Sequence, residues 1–246
     1  MSLLLERRFW ALCGAQNLGA FADNALRNAT IVVISAAAMS GYGELDFSMP
    51  SGLGHQASII VSVMFTIPIL IFSPLSGQLA DSVDRDFLVR KLKFIEVALM
   101  AYAGLCFAIG NGPQLIFALF LMGTQSAFFS PVRTSLMPQY YRIEELPMAN
   151  GVFNAWLFIA IVAGLTIGGG IVLGEGGRWQ ISLILVIAAA LGAICATKCP
   201  PAPIKKPKPI DWNIPLVGLR LFKLAADAKG VLYPMLGIGW FWMISA

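Results

Sequence analysis

The chain has 246 residues, 58% of them hydrophobic and only 12% charged, with a mean hydropathy of +0.77. Soluble domains carry about 25% charged residues, so the composition excludes an ordinary soluble fold and points to an integral, all-α membrane protein. The formal charge of +4 is no sign of nucleic acid, because the basic residues occupy short segments between apolar runs and do not cluster with stacking aromatics.

Apolar runs fall at about residues 9–39, 56–80, 94–110, 114–136, 147–173 and 179–197. Each has at least the roughly 17 residues needed to cross a hydrocarbon core about 30 Å thick, and each is read as helical because open strands cannot span lipid. Arg7 and Arg8 precede a run too long for a signal-peptide core and lacking a small-residue cleavage site, so the first helix is retained. At 1.5 Å per residue that run is about 46 Å long, and the sequence predicts that it tilts, projects beyond the bilayer or breaks, with the polar cluster in GAFADNALRN, Gly19–Asn28, as the break point. Asp23 and Arg27 lie one helical turn apart and can share a face. Each costs about 2.5 to 3.5 kcal/mol at a helix centre unless it pairs or lines a water-filled cavity. Asn17, Asn24 and Asn28 spread polar groups around the rest of the helix. The cluster reads as a headgroup or ion site, or as hydrogen-bonding glue between helices.

The stretch from Ser40 to His55 holds Glu44 and Asp46 but no Lys or Arg. After the second run comes GQLADSVDRDFLVRKLK, Gly77–Lys93, with Gly77 four residues before Asp81 and with Arg85, Arg90, Lys91 and Lys93 behind. Gly77 suits a close approach of two helices, and Asp81 suits a helix end or a pair with a neighbouring cation. Glu96 reads as an interfacial charge paired with Lys93 rather than as a proton carrier. Asn111 and Gly112 form an uncharged turn. The fourth run contains Pro131 and Arg133, and Pro131 frees a backbone carbonyl that a neighbour or cavity must satisfy. Runs one and four thus appear as the two disturbed helices, in matching positions if six spans form two three-helix repeats, the arrangement that marks transporter binding sites.

In the fifth run, Gly164 and Gly168 of GLTIGGG have the spacing of a close helix crossing. This stretch is similar to a motif of proton-coupled drug antiporters, but Gly169 stands where that motif has proline. The segment CPPAPIKKPKPIDWNIP, Cys199–Pro215, has six prolines and three lysines and should be an extended, semi-rigid linker. LVGLRLFKLAADAK, Leu216–Lys229, keeps Arg220, Lys223 and Asp227 on one face, as a helix lying on a leaflet would, or an ordinary helix packed on the loops. A seventh apolar run starts near Val231. The positive-inside rule places the N-terminus, the second and fourth loops and the segment after the sixth span in the cytoplasm.

Cys13, Cys106, Cys195 and Cys199 make none of the close pairs that zinc or redox sites need, and no metal or cofactor motif occurs. A G-x-S-x-G elbow and a phosphate-cradling G-x-x-x-x-G-K-S/T loop are absent as well.

The Gly77–Lys93 run resembles the loop-two motif of the major facilitator superfamily, although Ser82 replaces its usual basic residue. GAFADNALRNA, GQLADSVDRDFLVRKLKFIE, FFSPVRTSLMPQYYRIEELPMANGVFNA and the terminal GIGWFWMISA together resemble the bacterial lysophospholipid transporters of that superfamily. The resemblance implies a six-helix N-terminal half over residues 1–198, a linker and surface helix over 199–230, and the start of a truncated second half over 231–246. It implies a multi-pass inner-membrane flippase that brings lysophosphatidylethanolamine-like lipids to the cytoplasmic leaflet for re-acylation. Membrane lipid and an acyltransferase or acyl-carrier-protein synthetase are the implied partners. Such an acyltransferase is sometimes fused to the transporter; its signature is a histidine five residues before an aspartate, the histidine serving as general base. The sole histidine, His55, has Ile60 at that distance, so no enzyme is expected here. In this reading Arg27 attracts the phosphate, Asp23 the ammonium, and Asn24 the glycerol region, with Asn28 beside them. Asp81 latches a gate with Gly77 and Arg85, while Pro131 and Arg133 shape the opposing helix. A solute or drug transporter of the same fold, or a non-transporting scaffold for an acyltransferase, are the alternatives.

Overall fold

A computed structural model describes residues 6–40, 56–204, 209–228 and 230–245. Glu44, Asp46, His55, Lys205, Lys206, Lys208 and Lys229, which the charge reading used, lie outside the described residues. The described residues form eight helices and no strand: α1 (Arg7–Ser40), α2 (Ala57–Ser82), α3 (Arg85–Ala108), α4 (Gly112–Tyr140), α5 (Leu146–Ile171), α6 (Gly177–Thr197), α7 (Ile214–Asp227) and α8 (Leu232–Ser245). A helix satisfies its backbone hydrogen bonds within itself, which is why apolar runs of this length take that form in lipid. By length and composition α2, α4, α5 and α6 can each cross a membrane. α1 and α3 carry Asp23, Arg27, Lys93 and Glu96, charged residues that turn inward.

Two expectations about the helices need correction. The polar cluster does not break the first helix, because α1 runs without interruption for 34 residues. Side-chain polarity leaves the backbone ladder intact, and the polar side chains are accommodated by neighbouring helices instead. The third helix starts at Arg85, well before the apolar run at residue 94, so the basic stretch 85–93 forms its first turns rather than a loop. The turn before α4 is as expected: Gly110 has φ 70°, and the Asn111 side chain accepts from the Gln114 amide at 3.1 Å to cap the helix.

Packing follows a regular plan. α1 lies chiefly against α5 and α6, α4 chiefly against α2 and α3, and α3 against α6. Exchanging the first three helices for the second three maps each of these pairings onto another or onto itself, the pattern expected of two related three-helix units. Glycine permits the closest crossings. A Cβ on Gly164 or Gly168 of α5 would collide with the backbone oxygens of Phe21 or Ala25 on α1, and one on Gly123 of α4 would collide with the Phe65 oxygen on α2. The Gly164/Gly168 crossing read from the sequence is therefore the α1–α5 contact. Outward faces stay apolar: Leu70 on α2, Phe158 on α5 and Leu183 on α6 are all exposed, as lipid-facing positions should be.

Candidate functional site

One face of α1 and the inward faces of α2 to α5 line a half-open cavity of about 270 Å³. α1 supplies Gln16, Gly19, Ala20, Asp23, Asn24 and Arg27, at the three- and four-residue spacing that aligns side chains along one side of a helix. α2 contributes Phe65 and Ile69, α3 contributes Lys93 and Glu96, and α4 contributes Gln125, Ser126, Phe129, Ser130 and Arg133. Leu157 and Ile161 of α5 close the apolar side.

The lining holds two carboxylates and three cations, and several of their atoms are unsatisfied. The Ser126 hydroxyl donates to Asp23 Oδ2 at 2.9 Å, while Asp23 Oδ1 is buried without a hydrogen-bond partner. Lys93 Nζ donates to Glu96 Oε2 at 2.6 Å, and the Gln125 amide donates to the same oxygen at 3.0 Å and to the Leu92 carbonyl at 3.2 Å. Glu96 Oε1 is again buried without a partner. The Arg27 guanidinium lies over the Phe65 ring, 5.1 Å from its centroid, with its Nε unpartnered. Arg133 lies 5.7 Å from the centroid of Phe153. Aromatic faces stabilise these cations without consuming all their hydrogen-bond donors. The site thus offers free acceptors and free donors within one enclosure, at a desolvation cost of roughly 1 to 3 kcal/mol for each group left unmade.

Of the residues expected to bind, Asp23, Asn24 and Arg27 come together in the cavity, although Asp23 and Arg27 do not pair directly among the described residues. Asn24 Nδ2 donates back to the Ala20 carbonyl at 2.8 Å. Asn28 lies off the lining: its amide donates to the Leu165 carbonyl at 2.6 Å and ties α1 to α5. Glu96 does pair with Lys93 as expected, but the interfacial placement is overturned. The two side chains are only 2% and 1% exposed, enclosed by α1 and α4. Lys93 and Glu96 were read only as a pair outside the site, and Gln125 and Ser126 were not singled out, yet all four line the cavity. The available signal was polar Gln125–Ser126 in the middle of an apolar run, about one and a half turns before Pro131.

The residues expected to gate divide similarly. Arg133 lines the cavity opposite α1. α4 continues through Pro131, whose carbonyl accepts from the Ser135 hydroxyl at 2.7 Å. Arg85 pairs with Asp81 at 3.6 Å, as the spacing suggested. Gly77 mediates no close approach, since a Cβ there would meet nothing within 4 Å.

Its neighbour Gln78 does the joining: the side-chain amide donates to the Asp211 carbonyl at 3.1 Å and accepts from the Asp211 amide at 2.7 Å. Nearby, Asp86 Oδ1 accepts from the Ala202 amide at 3.0 Å, Asp84 Oδ1 from the Ile204 amide at 2.8 Å, and Arg90 donates to the Cys199 carbonyl at 3.1 Å. The last two residues of the proline-rich segment, Ile214 and Pro215, open α7, but its described parts up to Asn213 are non-helical, as expected, and are strapped across the α2–α3 junction. Burial there pushes the Cys199 thiol up to about 12.

Comparison with known proteins agrees with this architecture. The family model described as Major Facilitator Superfamily matches residues 17–245. The chain is 30% identical over 192 residues to the "Lysophospholipid transporter LplT" of Serratia proteamaculans (strain 568), covering 78% of this chain and 42% of that protein. It is 31% identical over 208 residues to the protein of the same name from Escherichia coli O1:K1 / APEC, covering 83% and 46%. With the Photorhabdus laumondii subsp. laumondii protein of that name it shares 25% identity over 245 residues, covering 97% and 55%. The chain spans about half the length of the curated relatives it matches.

Proposed function

Because the chain belongs to the major facilitator superfamily, we propose that it moves lysophospholipids of the lysophosphatidylethanolamine type to the cytoplasmic leaflet of a bacterial inner membrane, where an acyltransferase re-acylates them. The observation that carries this reading is the cavity's pair of opposite deficits. A buried guanidinium nitrogen of Arg27 lacks an acceptor, and buried oxygens of Asp23 and Glu96 lack donors. A zwitterionic headgroup supplies both, phosphate to the cation and ammonium to the carboxylates, through charge-assisted hydrogen bonds. The names of the relatives support the same substrate class.

In this mechanism the headgroup enters the polar cavity while the acyl chain remains against lipid or the apolar α5 wall. Exchange between leaflets follows from rocking the six-helix half against a second half, and the strapped linker joins the two. The N-terminus and the α2–α3 junction face the cytoplasm, where basic residues accumulate, and the Asp81–Arg85 pair latches that side. The test is uptake of labelled lysophosphatidylethanolamine by spheroplasts with and without the protein. Protein-dependent accumulation and re-acylation are expected. Transport of a water-soluble compound with no transfer of lysolipid would contradict the reading.

A further inference from the structure

We infer that Glu96 and Asp23 form one subsite for the ammonium of the headgroup, and that Gly19 is the positioning residue that admits Glu96 to it. This inference rests on the lysophospholipid reading and assigns the part of the cavity that distinguishes headgroups.

Glu96 comes from α3 and Asp23 from α1, yet both line the same cavity, and each leaves one buried oxygen without a partner. On Glu96 the other oxygen is fully engaged: Lys93 Nζ and Gln125 Nε2 both donate to Oε2. With the side chain 2% exposed, only a donor inside the cavity can satisfy Oε1. The bound Lys93 already shows the chemistry, a primary ammonium at 2.6 Å from this carboxylate. It also neutralises Glu96 formally, so the full charge that the ammonium meets is that of Asp23, while Arg27 and Arg133 of the same lining are left for the phosphate. One substrate ammonium offers three donors to meet that charge and both free oxygens.

Gly19 makes the arrangement possible. A Cβ at this position would fall within the contact distance of Lys93 Nζ and 2.9 Å from Glu96 Oε1. α1 thus presents bare backbone where the pair from α3 reaches it. The atoms that would be displaced are the ends of two flexible side chains, so Gly19→Ala moves the carboxylate rather than the helices.

The experiment measures uptake of labelled lysophosphatidylethanolamine and lysophosphatidylglycerol by spheroplasts making the complete protein, at matched protein amounts. Glycerol replaces the ammonium with neutral hydroxyls, so the uptake ratio isolates the charged contact. Glu96→Gln alone strands Lys93 in the interior, and the paired variant Lys93→Met/Glu96→Gln replaces the carboxylate contact by a neutral amide without stranding its partner and without changing the net charge. The paired variant is expected to lower the ethanolamine-to-glycerol ratio about tenfold, the loss of one charge-assisted contact. Gly19→Ala is expected to lower it severalfold with a thermal midpoint near that of the parent. An unchanged ratio, or an equal fall in both uptakes, overturns the inference while leaving the transport reading in place. Failure of the parent protein to move either lysolipid overturns the transport reading, and the inference with it.

Discussion

The cavity and the α1–α5 crossing share one short stretch of α1 and use it in opposite ways. Toward the cavity, Asp23 and Arg27 present polar atoms that the protein leaves unmatched, with the bare backbone of Gly19 beside them. Toward α5, Phe21, Ala25 and Asn28 meet Gly164, Gly168 and Leu165, with helix backbones in direct contact and the Asn28 amide bonded across. One face spends stability on unmade hydrogen bonds, and the other recovers it by close packing. A helix rotated by a third of a turn would lose both, so the crossing fixes where the charges point.

The sharpest way to break that contrast is at the crossing. Gly168→Leu drives a side chain into the Ala25 backbone, and overpacking there should cost about 3 kcal/mol. We expect little folded protein by size-exclusion chromatography and a lowered thermal midpoint in detergent. On the opposite face, Arg27→Ala removes a half-buried, incompletely satisfied cation, so stability should hold while lysophosphatidylethanolamine uptake falls about tenfold or more through the lost phosphate contact. Asn28→Ala sharpens the division further. Losing one interhelical hydrogen bond should cost about 0.6 kcal/mol, seen as a small drop in midpoint, with a smaller loss of uptake than Arg27→Ala.

The smallest expected effect lies in the linker strap, away from both faces. Thiolate is the reactive form of cysteine, and the Cys199 thiol is buried and held up to about 12. Asp86→Ala removes the acceptor for the Ala202 amide. It should raise the rate of maleimide labelling at Cys199 severalfold, read by mass spectrometry at near-neutral pH, with little change in folding.

Much of this organisation is legible in the sequence, because lipid leaves the backbone few choices. The ends of α2, α4, α5 and α6 fall within a few residues of the apolar runs, and Gly164 and Gly168 announce a crossing by spacing alone. Reading polarity as disorder of the helix misled in two places. Asp23, Asn24 and Arg27 do not interrupt α1, and Arg85 to Lys93 are helical although they are basic. The inward burial of Lys93 and Glu96 was hidden because their spacing fits an exposed pair equally well. Only the position of α1, with bare backbone at Gly19, encloses them. Gly77 shows the converse error: its motif spacing suggested a contact, but the neighbouring space is open and Gln78 makes the tertiary bonds.

If the cavity face of α1 serves transport rather than stability, Asp23→Asn separates the two. Uptake of labelled lysophosphatidylethanolamine and the thermal midpoint are measured on the same preparations, at matched amounts of folded protein. An uptake loss of about tenfold is expected, since a charge-assisted contact to the ammonium is gone, with a midpoint equal to or above that of the parent. Full uptake, or a fall in midpoint that accounts for the lost uptake, would contradict it.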